Sequence, residues 1–467
     1  MSRCRQRFMS ARRPPSCFCS RTDITASQTT EQHSMPKSTT QGGGSSRWRS
    51  LLHDRNVRWL FAGQTISQVG DGVSKVALLW FVYALTDSAL KMSLIGVLQT
   101  IPPLAFGPFA GVLLDRLDKR KAMIVIDVMR AVLLAAIPIL YALDMLTLPL
   151  LYVLVFVTAM FSMAFGPALN ATLPLIVKKE QLTGINALMQ SALTIGQLLG
   201  PAISGMLIAA IGAQNALYVN AAAFFISALS KIPLRLPHVR AHRSNESVWT
   251  QAVKDLRDGI RFVFVKQRLL FLLMIVASIF MLGSTAFVYL LPVIGDRLLH
   301  VGPVALGWLW SALSAGILAT TVWLIWKPQQ TVCTRIWMIA VAAAVAAAAV
   351  PSLLMHDSIL WAAGLIVAIG ATSGLITPLV AASLQERTPK DLMARVFGLF
   401  NTGTMVSAMI GMTLFGWVAD HFGPGISLAA IGVVNGGAAA VSMVLLPWCY
   451  RLAKQTAAPE QSLRRAS

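Results

Sequence analysis

The chain has 467 residues, 56% of them hydrophobic and only 12% charged, and a net charge of +20. A soluble domain carries about 25% charged residues, so this composition excludes an ordinary water-soluble globular protein. The absence of period-two alternation excludes a transmembrane barrel. The basic charge does not indicate a nucleic-acid partner either, because it is gathered into short clusters between long apolar runs.

Residues 1–50 are rich in Ser, Thr, Gln, Gly and Arg and predict a disordered tail. They lack the apolar core of a secretory signal. A flexible extension, or a start at Met35, explains them better than an organelle-targeting segment. Cys17 and Cys19 could suggest a metal site, but no His or Cys cluster completes one. A helix needs about 20 apolar residues to cross a bilayer. Twelve runs are long enough, starting near Asn56, Lys91, Ala122, Leu148, Gly184, Ala216, Leu269, Val304, Ile336, Ile359, Leu392 and Ile426.

The first run holds Asp71 near its middle, with Lys75 one turn later on the same face. Ionisable residues inside a span point to function by default. Asp71 is a candidate proton- or cation-binding carboxylate tuned by Lys75; the other reading is a self-neutralising pair that reaches outward. The second run ends in Gly111-Val-Leu-Leu-Asp115-Arg116-Leu-Asp-Lys119-Arg120-Lys121. Asp115 is misplaced for the macrodipole at a helix C-terminus, unless it meets a cation or the N-terminus of another helix, such as the eleventh, on the same side. That would make the segment a gating loop; otherwise it is a basic topology anchor. Asp127 and Arg130, early in the third run, read as a network bracing this loop. The fifth run contains Gly196, Gly200, Pro201 and Gly205, a small-residue face for close helix packing with a proline kink. Gln68, Gln99, Asn170, Gln197 and Asn401 are candidate cavity residues, although each could equally bond a neighbouring helix.

Residues 235–268 form the longest internal polar stretch, and part of it has the pattern of an amphipathic helix lying on a membrane surface. Six spans precede it and six follow. The chain therefore reads as an all-α membrane protein of twelve helices in two six-helix bundles, residues 51–234 and 269–447, with a short tail at 448–467. A shift of 211 residues superposes Pro167 on Pro378, Gly200 on Gly411, Gly205 on Gly416, Gly212 on Gly423 and Gly96 on Gly307. Parallel six-helix repeats are an architecture of secondary transporters. Apart from Lys91 and Arg297 on one side and Lys75 and Arg130 within spans, every Lys and Arg falls on the other side. By the positive-inside rule that side, with both termini, is cytoplasmic. Structural disulfides are not expected on the reducing side.

The segments Gly111–Lys121, Gly196–Gly205 and Pro167–Thr183 resemble those of the major facilitator superfamily, and within it the macrolide-efflux and siderophore-export branch of drug:proton antiporters. The resemblance covers about Leu51 to Leu446. It implies proton-driven export of amphipathic small molecules from a bacterial inner membrane, by alternating access, without a cofactor, metal or nucleic acid, and as a monomer. Asp118 departs from the family's usual glycine. Thr158 stands where many relatives carry an intramembrane arginine, which leaves Asp71 as the candidate proton carrier. A lipid or metabolite transporter, or a non-transporting sensor or assembly protein, are the alternative readings. No nucleophile–base pair suggests an enzyme.

Overall fold

Polar residues set the ends of the helices. In the computed structural model, which describes residues 53–115, 117–234, 261, 263, 267–327, 330–356 and 358–466, Asp54 caps the first helix by accepting a hydrogen bond from the Asn56 amide at 2.7 Å. Asp118 caps the third through the Arg120 and Lys121 amides, Thr147 the fourth and Thr331 the ninth. Each satisfies amides that the first turn leaves without a partner. The departure of Asp118 from glycine thus places a capping carboxylate at the start of a helix.

Among the described residues twelve long helices follow one another: α1 (Arg55–Thr86), α2 (Ala89–Asp115), α3 (Lys119–Ala142), α4 (Leu148–Ile176), α5 (Leu182–Ile211), α6 (Ala213–Lys231), α7 (Arg268–Arg297), α8 (Pro303–Trp326), α9 (Val332–Ser352), α10 (Ile359–Arg387), α11 (Met393–Phe422) and α12 (Pro424–Ala466). Eleven are long and apolar enough to cross a membrane. The other is α6, whose hydropathy is lowered by Asn215, Asn220, Ser227, Ser230 and Lys231. It packs on α1 and α3, and four of these five polar residues, all but Asn215, are buried there. Large apolar side chains such as Ile325, Trp326, Leu360 and Val433 are exposed on the outside, where a soluble protein would carry charge and a bilayer supplies apolar solvent.

The repeat is visible in the turns. Gly212 joins α5 to α6 at φ 85°, and Gly423 joins α11 to α12 at φ 88°. Both lie in the region that a side chain disfavours, and the two positions coincide under the 211-residue shift. The bundles meet along two antiparallel crossings, α5 with α8 and α11 with α2. Gly205 lies against Pro303, Val304 and Gly307, while Gly416 lies against Ala89, Leu90 and Ser93. A Cβ on Gly416 would stand 3.1 Å from the Leu90 Cα, so both crossings depend on residues without side chains.

One face of the molecule carries Lys119–Lys121, Lys178, Lys179, Arg335, Lys390 and Arg395, and is called the basic face below. The N-terminal tail, residues 1–52, and most of the 235–268 segment with its expected amphipathic helix lie outside the described residues, whereas α12 runs on through residues 448–466. Contrary to the expectation for cysteines, Cys333 and Cys449 form a disulfide with Cα atoms 5.7 Å apart. Packing of α9 on α12 brings them together, and both are buried, at 6% and 1% exposure. Tertiary packing encloses the pair in the core of the second bundle, away from the surroundings that the redox state of a compartment governs.

Candidate functional site

A cavity of about 380 Å³ lies within the first bundle, walled by α1, α2, α3, α4 and α6. Its volume falls within the ~300–1,000 Å³ typical of small-molecule sites. Helical spacing puts Asp71, Ser74, Lys75 and Leu78 on one stripe of α1 facing it. Gln99 enters from α2, Arg130 from α3, Thr158 from α4, and Asn220 with Phe224 from α6.

Its charged centre is an ion pair between helices. One Arg130 Nη2 donates to both Asp71 carboxylate oxygens, at 2.8 and 3.0 Å, and the guanidinium lies 3.7 Å over the Phe224 ring. Arg130 is nearly buried at 8% side-chain exposure, whereas Asp71 retains 36%. The carboxylate is therefore the accessible partner. Asp71 closes on Arg130 and not on Lys75. The Lys75 side chain is exposed at the cavity, its amine 5.6 Å from the centre of the Tyr289 ring. Tyr289 comes from α7 in the other bundle; its hydroxyl donates to Gln99 Oε1 at 3.5 Å.

Arg130 does not join Asp127. Asp127 is fully buried behind the cavity and accepts from Lys231 Nζ at 2.5 Å and Ser227 Oγ at 2.8 Å. This pair ties α3 to the last turn of α6. Arg120, beside it, donates to the carbonyls of Lys231 and Ile232, a favourable place for a cation at a helix C-terminus. Arg120, in the first turn of α3, and Asp127, further along the same helix, thus meet the same end of α6, while Arg130, one turn beyond Asp127, belongs to the cavity.

At the face opposite the basic one, α11 and α2 are joined by a carboxylate. Asp420 accepts from Ser88 Oγ at 2.5 Å, the Ala89 amide at 2.6 Å and the Leu90 amide at 3.1 Å. It therefore caps the N-terminus of a helix in the other bundle. Two further links cross nearby: Tyr83 to Asp296 at 2.9 Å, and Arg297 to Asp87 at 2.8 Å.

The other candidates scatter. Gly196 packs on Gln68 and Gly200 on Gly72, both against α1, while Gly205 faces the other bundle; Pro201 is buried within α5. Asn170, Gln197 and Asn401 are exposed and do not line this cavity; the Gln197 carbonyl accepts from Ser314 across the bundles. Gly111 and Asp115 lie on the last turns of α2, but the Asp115 side chain, and the whole of Arg116, lie outside the described residues. Lys231, Ser227, Asp420, Asp296 and Tyr289 were not singled out in the sequence. Lys231 sits within a basic cluster that resembles an exposed helix end, and only its polar neighbours on α6 hint otherwise.

Twelve helices in two repeated bundles, with ionisable groups lining an internal cavity, define a membrane transporter. The sequence profile of the Major Facilitator Superfamily matches residues 60–407 and again 299–466. The chain belongs to this superfamily, whose members are secondary transporters rather than enzymes. The multidrug efflux pump Tap of Mycolicibacterium fortuitum is 28% identical over 379 residues, covering 78% of this chain and 89% of its own. Macrolide efflux protein A of Streptococcus pyogenes is 23% identical with the same coverages. Among solved structures, the nucleoside transporter NupG superposes with a TM-score of 0.66 at 13% identity, covering 84% of this chain and 99% of that one. A bacterial homologue of the lysosomal transporter Spinster, inward-facing and unoccupied, gives 0.65 at 12%, with coverages of 88% and 99%. These likenesses confirm the fold.

Proposed function

We propose that this chain exports amphipathic small molecules, drug-like or siderophore-like, by alternating access coupled to proton entry, and that Asp71 carries the proton. The observation that supports this most directly is the Asp71–Arg130 pair. It joins α1 to α3 across the cavity, and its carboxylate is the member left accessible. A proton on Asp71 removes the charge that holds Arg130, so protonation loosens two cavity-lining helices. Arg130 takes the place of the cation that Thr158 cannot supply. Placing the basic face in the cytoplasm of a bacterial inner membrane follows from the distribution of Lys and Arg, and the efflux relatives support export as the direction.

The test is survival of an efflux-deficient host across a broad compound panel, with and without the chain, followed by Asp71→Asn. Protection against a subset of compounds, reduced at least about tenfold by Asp71→Asn at unchanged membrane insertion, is the expected result. Undiminished protection in the variant removes Asp71 from the mechanism, and protection against no compound removes export.

A further inference from the structure

The ionisable side chains that are buried among the described spans or line their cavity are unevenly placed. Asp71, Lys75, Asp127, Arg130 and Lys231 all belong to the first bundle or its edge. In the second bundle, the described spans carry Asp and Glu, Lys and Arg only near their ends, at Arg268, Asp296, Arg297, Arg335, Glu386, Arg387, Arg395 and Asp420. Asp71 is matched by Arg130 and Asp127 by Lys231. Lys75 is left over. Among the described residues no carboxylate pairs with it; α2 presents Gln99 and α7 the Tyr289 ring. The cavity therefore holds one positive charge in excess, on a flexible amine exposed to it.

An uncompensated cation at membrane depth is costly. The ring face recovers only about 0.5–2 kcal/mol by cation–π attraction. The rest of the wall is mixed: Leu78, Pro103, Leu134, Val155, Met163 and Phe224 provide an apolar surface. A ligand that combines an apolar body with one anionic group would satisfy both, whereas a cationic ligand would meet Lys75 directly and find Asp71 already engaged.

We propose that the cavity takes amphipathic molecules bearing a single anionic group, such as a carboxylate, and that Lys75 is the residue that selects for that charge. This rests on the cavity being the transport site, as proposed above, but not on the direction of transport or on proton movement. The amine docks the anion at the boundary between the bundles, beside Tyr289, while the body of the ligand lies on the apolar wall.

The test uses the full-length protein in a neutral maltoside detergent without any gradient. Dissociation constants are measured by intrinsic tryptophan fluorescence for three ligands sharing one scaffold: 4-phenylbutyrate, 4-phenylbutanol and 4-phenylbutylamine. Expected is the order acid, alcohol, amine, with the acid bound about tenfold more tightly than the alcohol. Lys75→Gln should abolish that difference and Lys75→Arg should keep it, both variants eluting as the wild type does. Equal binding of acid and alcohol, preference for the amine, no binding of any of the three, or an acid preference that survives Lys75→Gln each overturns the proposal. Loss of export in cells with an intact acid preference would sink the export reading alone, and the reverse result this one alone.

Discussion

The two bundles share a skeleton but not a chemistry. Their turns repeat, with Gly212 and Gly423 in the same left-handed conformation, and each supplies one small-residue helix to a crossing with the other. Yet the charged cavity and the fully buried Asp127–Lys231 pair belong to the first bundle. Under the 211-residue shift the cavity residues Asp71, Lys75, Gln99, Thr158 and Asn220 fall on apolar residues of the second, Leu282, Ala286, Trp310, Ile369 and Ile431. On the proposed alternating-access mechanism, symmetry serves the movement of one bundle against the other, which needs matching contact surfaces. Binding at the proposed site needs only one charged wall, and the facing bundle can remain apolar.

The largest expected effect tests whether that asymmetry is structural as well as chemical. Lys231→Met leaves Asp127 buried without its cation, and breaking a buried pair on one side costs about 3–5 kcal/mol. Thermal unfolding in detergent should show a marked loss for Lys231→Met and for Asp127→Leu singly. The double variant, which removes both charges, should recover most of it. In the second bundle the ion pair Arg335–Glu386, with Glu386 half exposed, should contribute no more than about 1 kcal/mol. Equal losses at the two pairs would contradict the claimed difference between the bundles.

The spans, the repeat and the membrane class were legible in the sequence, because length, apolarity and period are local properties. Asp71 and Lys75 were legible as rarities within an apolar run. Their partners were not. Asp127 and Arg130 both lie early in the third run, close to the Gly111–Lys121 loop, which suggested a shared role in bracing it. The turn between them is enough to point one at α6 and the other at α1. Lys231 belonged by sequence to a basic cluster, and only a buried carboxylate from α3 makes its burial tolerable. Asp420 was not singled out, since nothing local reveals that it meets the N-terminus of α2. The Cys333–Cys449 bridge, likewise, spans 116 residues.

A second, smaller effect sharpens the comparison of the crossings. At α5–α8 the nearest atom to a Cβ on Gly205 is the Pro303 carbonyl oxygen, which is backbone and cannot yield cheaply. At α11–α2 the nearest atom to a Cβ on Gly416 is the Ser93 hydroxyl at 3.0 Å, which can rotate. Overpacking costs about 1–3 kcal/mol. Gly205→Ala should fall at the upper end of that range in thermal unfolding and Gly416→Ala at the lower. Indistinguishable losses would show that the crossings are mechanically equivalent despite their different contacts.

The smallest effect concerns the two ends of α2 and α11. These helices run antiparallel, and each has an aspartate in its last turn, Asp115 on α2 and Asp420 on α11. The sequence suggested a bond from Asp115 to the start of the eleventh helix at the basic face. The same chemistry is present at the opposite face with the helices exchanged, Asp420 receiving two amides and a hydroxyl at the start of α2. A charged acceptor at a helix N-terminus gains from the macrodipole as well as from its hydrogen bonds, by about 0.3–1 kcal/mol for the first and about 1.5–3 kcal/mol for a hydrogen bond to a charged group. Asp420→Asn retains the shape and one acceptor but loses the charge. It should weaken closure at that face by about 1.4 kcal/mol, a tenfold shift in the equilibrium. Spin labels at Leu143 and His356, exposed in loops of the two bundles at that face, should then report a larger population of long distances. Unchanged distances would mean that the apolar crossing alone holds the face shut, since Ser88 and the two amides would have lost their charged partner without consequence.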